Sequence, residues 1–527
     1  MTTMASARNP VSVLLKLIRR NYKKLTDARE TFEVISNRMG VLDNPQELIA
    51  FLGQHLKPKE LEKKQNGEVF TPPDLIQQKF NKLTLANPQI WSDPSKKFLD
   101  PANGIGNYPA LAFHRLMEGL KNAIPNEADR KKHILENMLY MCELNKKNIE
   151  VSRKIFDPKG VYALNLYQGS YLDLDPLEEW GVQKFDVIFG NPPYQDKSGN
   201  KGRGHRLWVQ FVSKSLLLLK TTGFLVFVHP AGWRQPGNEL LDLMKNKQIH
   251  YLSIHNEGDG LKTFSCNTRY DWYVLQNTPF YKDTSITAQD GKIYSINLSK
   301  MSFIPNYMFN EIQGWTSGDM KLNIIKQRSA YGHDKKHMSK KKSDLNKYPA
   351  VYSVNRQNVP SFYYSSINTN GHFKIPKVIF GSGATGFISD PSGQYALTQW
   401  CTAIVDSPEK HQRIIDVLNN PKFKSVILAC SVGKAEINAE ILRFFRKDFF
   451  EIFDLPNSNM IKNPVESIPP PHVSVVEAVV QPVVVPTTTH PDYKKLKVAE
   501  LKQLCKDRKI KGITGKTKEE LITMLTA

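Results

Sequence analysis

Cysteine is scarce in this 527-residue sequence: Cys142, Cys266, Cys401, Cys430 and Cys505 are five in number, odd and far apart. No Cys-x-x-Cys pair occurs. That spacing excludes a disulfide framework and a cysteine-built zinc site, and it places the chain in a reducing, intracellular compartment. Long apolar runs are missing as well. No stretch approaches the roughly 18 residues that mark a membrane-spanning helix. No signal-peptide pattern opens the chain. Val11–Leu17 is apolar but short, and Arg19 and Arg20 follow it, so it reads as an amphipathic helix. Acidic side chains are in deficit: 51 Asp and Glu stand against 72 Lys and Arg, a formal net charge of +21. A polyanion is the expected partner, nucleic acid ahead of an anionic membrane.

What is present suffices for several domains. With 40% hydrophobic and 10% aromatic residues the chain can bury a sizeable core. Residues 1–60 read as a basic helical segment. From 61 to 285, strand patterns at Lys97–Asp100, Met138–Glu143, Tyr162–Tyr167, Phe185–Gly190, Phe224–His229, Ile249–His255 and Asp271–Gln276 alternate with helical ones at Tyr108–Lys121, Lys146–Phe156, Arg206–Lys220 and Asn238–Lys247. Such alternation predicts an α/β, doubly wound, mostly parallel sheet. Residues 286–465 mix short strands, turns and lysine runs, a second globular region of α+β type. Residues 466–490, rich in Pro and Val, read as an extended linker. Residues 491–527 turn helical again.

The most informative residues close the run Phe185-Asp186-Val187-Ile188-Phe189-Gly190: they are Asn191-Pro192-Pro193-Tyr194. A buried strand ending this way places unusual groups at the carboxyl edge of a sheet, where open α/β folds bind ligands. The Asn191 amide oxygen and the Pro192 carbonyl are acceptors, and neither proline has an N–H to compete for them. Two acceptors can thus take both hydrogens of one exocyclic amine, while the Tyr194 ring offers a stacking surface. Upstream lie the parts of a cofactor site. Asp100-Pro101-Ala102-Asn103-Gly104-Ile105-Gly106-Asn107 is a glycine turn that opens a helix, whose free N–H groups suit an anionic group. Glu143 ends the second strand, where an acidic residue suits ribose hydroxyls. Asp173, after the third strand, suits an adenine amino group. Gly67-Glu68-Val69-Phe70-Thr71-Pro72-Pro73 precedes the first strand and is placed to close over a ligand.

The order and spacing of these motifs resemble the adenine-N6 DNA methyltransferases of restriction–modification systems, with the cofactor motif ahead of the catalytic one and target recognition C-terminal. The resemblance covers residues 60 to 280 well and 340 to 455 loosely. It implies a Rossmann-like S-adenosylmethionine-dependent methyltransferase fold followed by a target-recognition domain. It implies S-adenosyl-L-methionine held by Thr71, Pro72, Asp100, Asn103, Gly104, Gly106, Glu143 and Asp173, with no metal. The catalytic residues it implies are Asn191, Pro192, Pro193 and Tyr194, acting on an adenine flipped out of double-stranded DNA. A second aromatic that sandwiches the base is left open among Tyr270, Trp272 and Tyr273.

Other readings compete. The same tetrapeptide serves methyltransferases of guanine N2 in RNA or of a protein glutamine amide, though these usually lack a large basic C-terminal domain. A bifunctional restriction–modification enzyme is the third reading. Residues 1–60 are too short for a nuclease, so cutting would belong to a separate restriction endonuclease. A binding protein that merely retains the fold is disfavoured by the intact Asn191, Pro192, Tyr194, Asp100 and Glu143.

Three further segments bear on DNA. Gly199–Arg206 is a flexible basic loop directly after the catalytic motif. Gly381-Ser382-Gly383-Ala384-Thr385-Gly386 fits Gly-x-Gly-x-x-Gly, but a turn and not a helix follows, which excludes a dinucleotide site. Tyr493–Leu525, with two short amphipathic helices around Gly512-Ile513-Thr514-Gly515-Lys516-Thr517, resembles the SAP module, a small DNA-binding unit. A SAP-like tail on such a methylase suggests a large DNA virus or a eukaryotic setting, and hence a cytoplasmic, nucleoid or viral-factory location.

Overall fold

The computed structural model describes residues 71–194, 206–326, 330–369, 371–381, 386–432, 439–455, 517–520 and 523. The chain divides into two units, Met1–Lys462 and Asn463–Ala527. The expected segment 1–60, the linker 466–490 and most of the SAP-like segment lie outside the described residues. In the second unit, the Thr517 N–H donates to Glu520 Oε2 at 2.7 Å and the Glu520 N–H to Thr517 Oγ1 at 3.4 Å. This reciprocal pair is the helix-opening pattern that Thr-x-x-Glu encodes.

A nine-stranded sheet dominates the first unit, in the order β3-β2-β1-β4-β5-β7-β6-β8-β9. Its strands are β1 (Phe98–Asp100), β2 (Leu139–Glu143), β3 (Asn165–Gln168), β4 (Phe185–Gly190), β5 (Leu219–Pro230), β6 (Lys247–His255), β7 (Tyr270–Pro279), β8 (Thr284–Thr287) and β9 (Ile293–Ile296). The first five pair in parallel, and β7 runs antiparallel between β5 and β6. A mostly parallel sheet with helices on both faces is the α/β class that the sequence pattern predicts. The sheet continues through Ile296, past residue 285, where the sequence pattern placed the end of the catalytic domain.

All six residues of β4 are buried, as a central strand covered on both faces requires. Alternate residues feed two cores. Phe224, Val226 and Val228 of β5 face one, under helices α1 (Pro73–Ala86) and α2 (Asn107–Gly119); Leu225 and Phe227 face the other, under α4 (Leu207–Leu218). Helix α3 (Lys146–Phe156) links β2 to β3, and α5 (Glu257–Phe264) links β6 to β7. Helix α1 begins where the sequence dictates. Pro73 stands at its first position, where a missing N–H costs nothing, and Asp74 sits at the positive end of its dipole.

Residues beyond the sheet form two four-stranded sheets, one ordered β10 (Asn323–Lys326), β17 (Cys401–Val405), β14 (Lys377–Gly381), β15 (Phe387–Asp390) and the other β11 (Met338–Ser339), β13 (Pro360–Ser365), β12 (Tyr348–Val354), β16 (Ala396–Leu397). In the first, β14 (Lys377–Gly381) and β15 (Phe387–Asp390) form a hairpin. Strand, not helix, therefore follows the glycine run, and residues 382–385 at its tip lie outside the described set. Lys377 and Asp390 close its base as a fully buried 2.6 Å ion pair. Asp390 also accepts from the Gln394 and Tyr395 N–H groups.

Candidate active site

The carboxyl ends of β1, β2 and β4 bring the candidate cofactor and catalytic motifs to one place. Asp100 ends β1 and is buried, and its Oδ1 accepts the Ala102 N–H at 3.0 Å. Its Oδ2 is buried with no hydrogen-bond partner among the described residues. Such an orphan acceptor at a ligand-binding edge fits a cofactor that brings donors of its own. Burial pushes the carboxyl up to about 8; the Ala102 N–H opposes this, the nearby Glu143 adds to it, and Lys79 opposes it.

The glycine turn after β1 is held from three sides. The Asn103 N–H donates to Cys142 O at 2.9 Å, and the Asn103 amide donates to Ser152 Oγ at 2.8 Å and to Gly104 O at 3.1 Å. Gly104 and Gly106 both take positive φ. A Cβ on Gly106 would meet Phe156 Cε2 at 2.7 Å, so only glycine admits this approach. Glu143 behaves differently from a simple ribose ligand: its Oε2 accepts the Gly104 N–H and its Oε1 the Asn145 N–H, both at 2.7 Å. It ties the glycine turn to the start of α3. Asp173 lies apart on the loop after β3 and is exposed. Lys214 of α4 pins that loop, donating to Leu172 O at 3.0 Å and Leu174 O at 2.6 Å. Thr71 is buried beside α2, and its carbonyl accepts from the Asn107 side chain at 3.2 Å. Pro72 caps α1, its carbonyl accepting from the Leu75 and Ile76 N–H groups.

Strand β4 delivers Asn191 and Pro192 next to Asp100. Gly190 has φ +155°, and a Cβ there would stand 2.9 Å from Asp100 Oδ1. The approach of β4 to β1 thus depends on a missing methyl group. Gly190→Ala should displace Asp100, destabilise the fold by about 1–3 kcal/mol and weaken cofactor binding. Thermal unfolding and titration calorimetry measure both; wild-type values in each would refute this account of Gly190.

Asn191, Pro193 and Tyr194 are half-buried and Pro192 is buried. Tyr194 directs its hydroxyl inward: the oxygen is buried without a partner among the described residues, and burial beside Cys266 and Tyr270 raises its pKa. This separates the three aromatics left open by sequence. Trp272 packs against Tyr251 at 4.9 Å in one core. Tyr273 meets His229 Nε2 at 3.0 Å in the other. Tyr270 lies near Tyr194, stacked on His255 at 4.4 Å and edge-on to Phe264 at 4.9 Å.

Sequence reasoning missed Lys79, which is fully buried on α1 and donates to the Tyr108 hydroxyl. The signal was readable: Leu75, Ile76, Lys79, Phe80 and Leu83 share one apolar face at helical spacing. It also missed Asn107, which joins α2 to Thr71.

Residues 78–260 match the family model described as Eco57I restriction-modification methylase. Over those residues the chain is similar to that family. It is also similar to a Mycoplasma pneumoniae protein described as an uncharacterized adenine-specific methylase, 25% identical over 330 residues and covering 47% of this chain and 78% of that one. Among solved structures, a modification subunit of a putative type I restriction enzyme from Vibrio vulnificus is 19% identical with a TM-score of 0.35. That match covers 46% of this chain, which spans about half (53%) of the Vibrio chain. The type IIL restriction-modification enzyme MmeI in complex with DNA is 12% identical with a TM-score of 0.38, covering 74% of this chain and 68% of that one. Among the described residues no group of His, Cys, Asp and Glu could hold a metal ion, and no helix is long and apolar enough to cross a membrane.

Proposed function

We propose that this chain is a DNA methyltransferase that moves a methyl group from S-adenosylmethionine to N6 of an adenine flipped out of double-stranded DNA. One observation carries the reading: the acceptors of Asn191-Pro192 leave β4 beside Asp100, so close that Gly190 has no room for a Cβ. Amine recognition and cofactor recognition therefore share one sheet edge.

The cofactor supplies an electrophilic methyl group when bound. Asp100, Gly104, Gly106, Thr71, Asn103 and Pro72 form or shape its cradle, Glu143 fixes the cradle's turn, and the exposed Asp173 is placed to accept from its adenine amine. Asn191 Oδ1 and the Pro192 carbonyl accept the two N–H groups of the target amine. This draws the nitrogen lone pair out of conjugation with the ring and leaves it to attack. Tyr194 stacks on the flipped base, with the Tyr270–His255 pair as the neighbouring aromatic wall. Because bond-making needs no metal or covalent intermediate, the protein contributes position and hydrogen bonding. The exposed Lys335, Lys336, Lys340, Lys341 and Lys342 of the second region supply phosphate contacts that place the duplex.

The test is to incubate the protein with labelled S-adenosylmethionine and unmethylated genomic DNA, then map modified bases by single-molecule sequencing. N6-methyladenine confined to one short motif is expected. Label in RNA or protein and none in DNA would overturn the substrate assignment. Removing residues 491–527 should weaken DNA affinity and flatten its salt dependence while leaving turnover at saturating DNA intact. Loss of that turnover would refute an accessory role for the segment.

A further inference from the structure

Lys79 has no role in the chemistry described so far, yet it is the most unusual side chain near the site. A buried lysine is costly unless its amine does something. Packing does not require one, since methionine would fill the same volume. The amine of Lys79 donates to the Tyr108 hydroxyl and lies 5.1 Å from the centre of that ring. The Tyr108 ring stacks on Phe189 at 5.8 Å and 14°, and Phe80, the next residue of α1, packs on Phe189 at 5.4 Å. Phe189 stands two residues before Asn191. The helix that begins beside Thr71, the helix that follows the glycine turn and the catalytic strand therefore meet around one amine.

The charges facing that amine come from several elements. Asp100 on β1 attracts its protonated form, whereas His229 at the end of β5 and His255 at the end of β6 are coupled to it as like charges when protonated. Tyr108 is its hydrogen-bond partner on α2, Glu143 acts on it through Asp100, and Tyr194 through Tyr108. Burial holds Lys79 well below the ordinary lysine range, and it holds His229 near 3 and His255 near 4. The two histidines are thus neutral across the working pH range, while the lysine gains its proton as pH falls.

We propose that Lys79 is a positioning residue that also sets the charge preference of the cofactor pocket, its amine governing how strongly a cationic sulfonium binds relative to a neutral thioether. This deepens the proposed function and rests on it. Neutral, the amine holds Tyr108 and adds no charge beside Asp100. Protonated, it places a second cation near the pocket, which opposes S-adenosylmethionine but not S-adenosylhomocysteine. The two ligands share their amino and carboxyl groups, so the ratio of their affinities isolates the sulfonium.

Equilibrium binding of both ligands to the full chain, by calorimetry from about pH 6 to about pH 9, tests this. In the wild type the preference for S-adenosylmethionine should fall about tenfold as pH drops. Asp100, pushed up to about 8, acts in the same direction, so the variants decide. K79M, and K79Q as a polar variant that still donates to Tyr108, should both show a preference that varies with pH distinctly less than the wild type's, keeping only the share that Asp100 contributes. K79M should melt no lower than the wild type. Y108F, whose ring keeps the packing but frees the amine, should lower kcat while retaining the pH dependence. A K79M or K79Q preference that follows the wild-type pH curve overturns the inference alone. A wild type that binds neither ligand overturns the cofactor reading and the inference with it.

Discussion

Asn191→Ala should lower turnover by at least about a hundredfold while changing S-adenosylmethionine affinity less than about twofold. Asn191 follows Gly190 out of β4, and the cradle of Asp100, the glycine turn and Glu143 is built from backbone and side chains that do not include it. Truncation to alanine removes one of the two acceptors offered to the target amine and leaves the Pro192 carbonyl alone. The amine then keeps one hydrogen conjugated with the ring, and its lone pair is correspondingly poorer as a nucleophile. Steady-state methylation with a saturating DNA substrate, alongside calorimetric cofactor titration, separates the two effects. Turnover near the wild-type value would sink the catalytic assignment, and lost cofactor binding would mean that Asn191 shapes the cradle. Asn191→Asp should lie between, since a carboxylate keeps an acceptor but adds a charge near Asp100 and Glu143.

Arg234→Ala should destabilise the first unit by about 3–5 kcal/mol, the largest structural effect we expect from one substitution. Arg234 and Asp271 are both fully buried, with Nε 2.7 Å from Oδ2. The guanidinium also donates to Ile304 O at 2.9 Å and to Asn306 Oδ1 at 2.8 Å, while the Trp233 indole donates to the same Asp271 oxygen at 2.8 Å. Asn306 in turn donates to Leu428 O at 2.9 Å and to Ser431 O at 2.6 Å. One guanidinium thus joins the start of β7 to the segment after β9 and, through Asn306, to residues 428–431 of the second region. Removing it strands a carboxylate in a dry interior. Asp271→Asn should cost less, because its amide can still accept from Trp233 and leaves no stranded anion. Replacing both partners by methionine and leucine should recover part of the loss. Denaturant unfolding of the four proteins checks the order; an Arg234→Ala variant as stable as the wild type would show that the pair contributes nothing net.

Much of the catalytic sheet was legible because parallel strands buried on both faces leave continuous apolar runs, and β4 and α3 fall where those patterns place them. The third strand slipped: Tyr162–Tyr167 reads as extended, but Asp157 accepts the N–H groups of Val161 and Tyr162 at 2.9 Å and turns the chain there, so β3 starts at Asn165. The helix expected over Arg206–Lys220 stops at Leu218 because Leu219 already pairs with Phe185. The boundary at 285 failed for a related reason. β8 and β9 are short and half-polar, and only their pairing with β6 and with each other identifies them as sheet. Of the site, the acceptors and glycines could be read from residue type. The double duty of Glu143, the buried amine of Lys79 and the Arg234–Asp271 pair could not. Each depends on partners 29 to 39 residues away in sequence, and a pattern of single residues treats a lysine or an arginine as surface.

Trp208 is the second residue of α4, the first described helix after Tyr194, and its indole stacks on the His229 imidazole at 4.5 Å and 19°. Since that imidazole stays neutral at ordinary pH, indole emission at this position escapes quenching by imidazolium. Any movement of α4 would part the two rings and change the emission. The molecule therefore carries an optical reporter of the position of this helix, readable in stopped flow without a label.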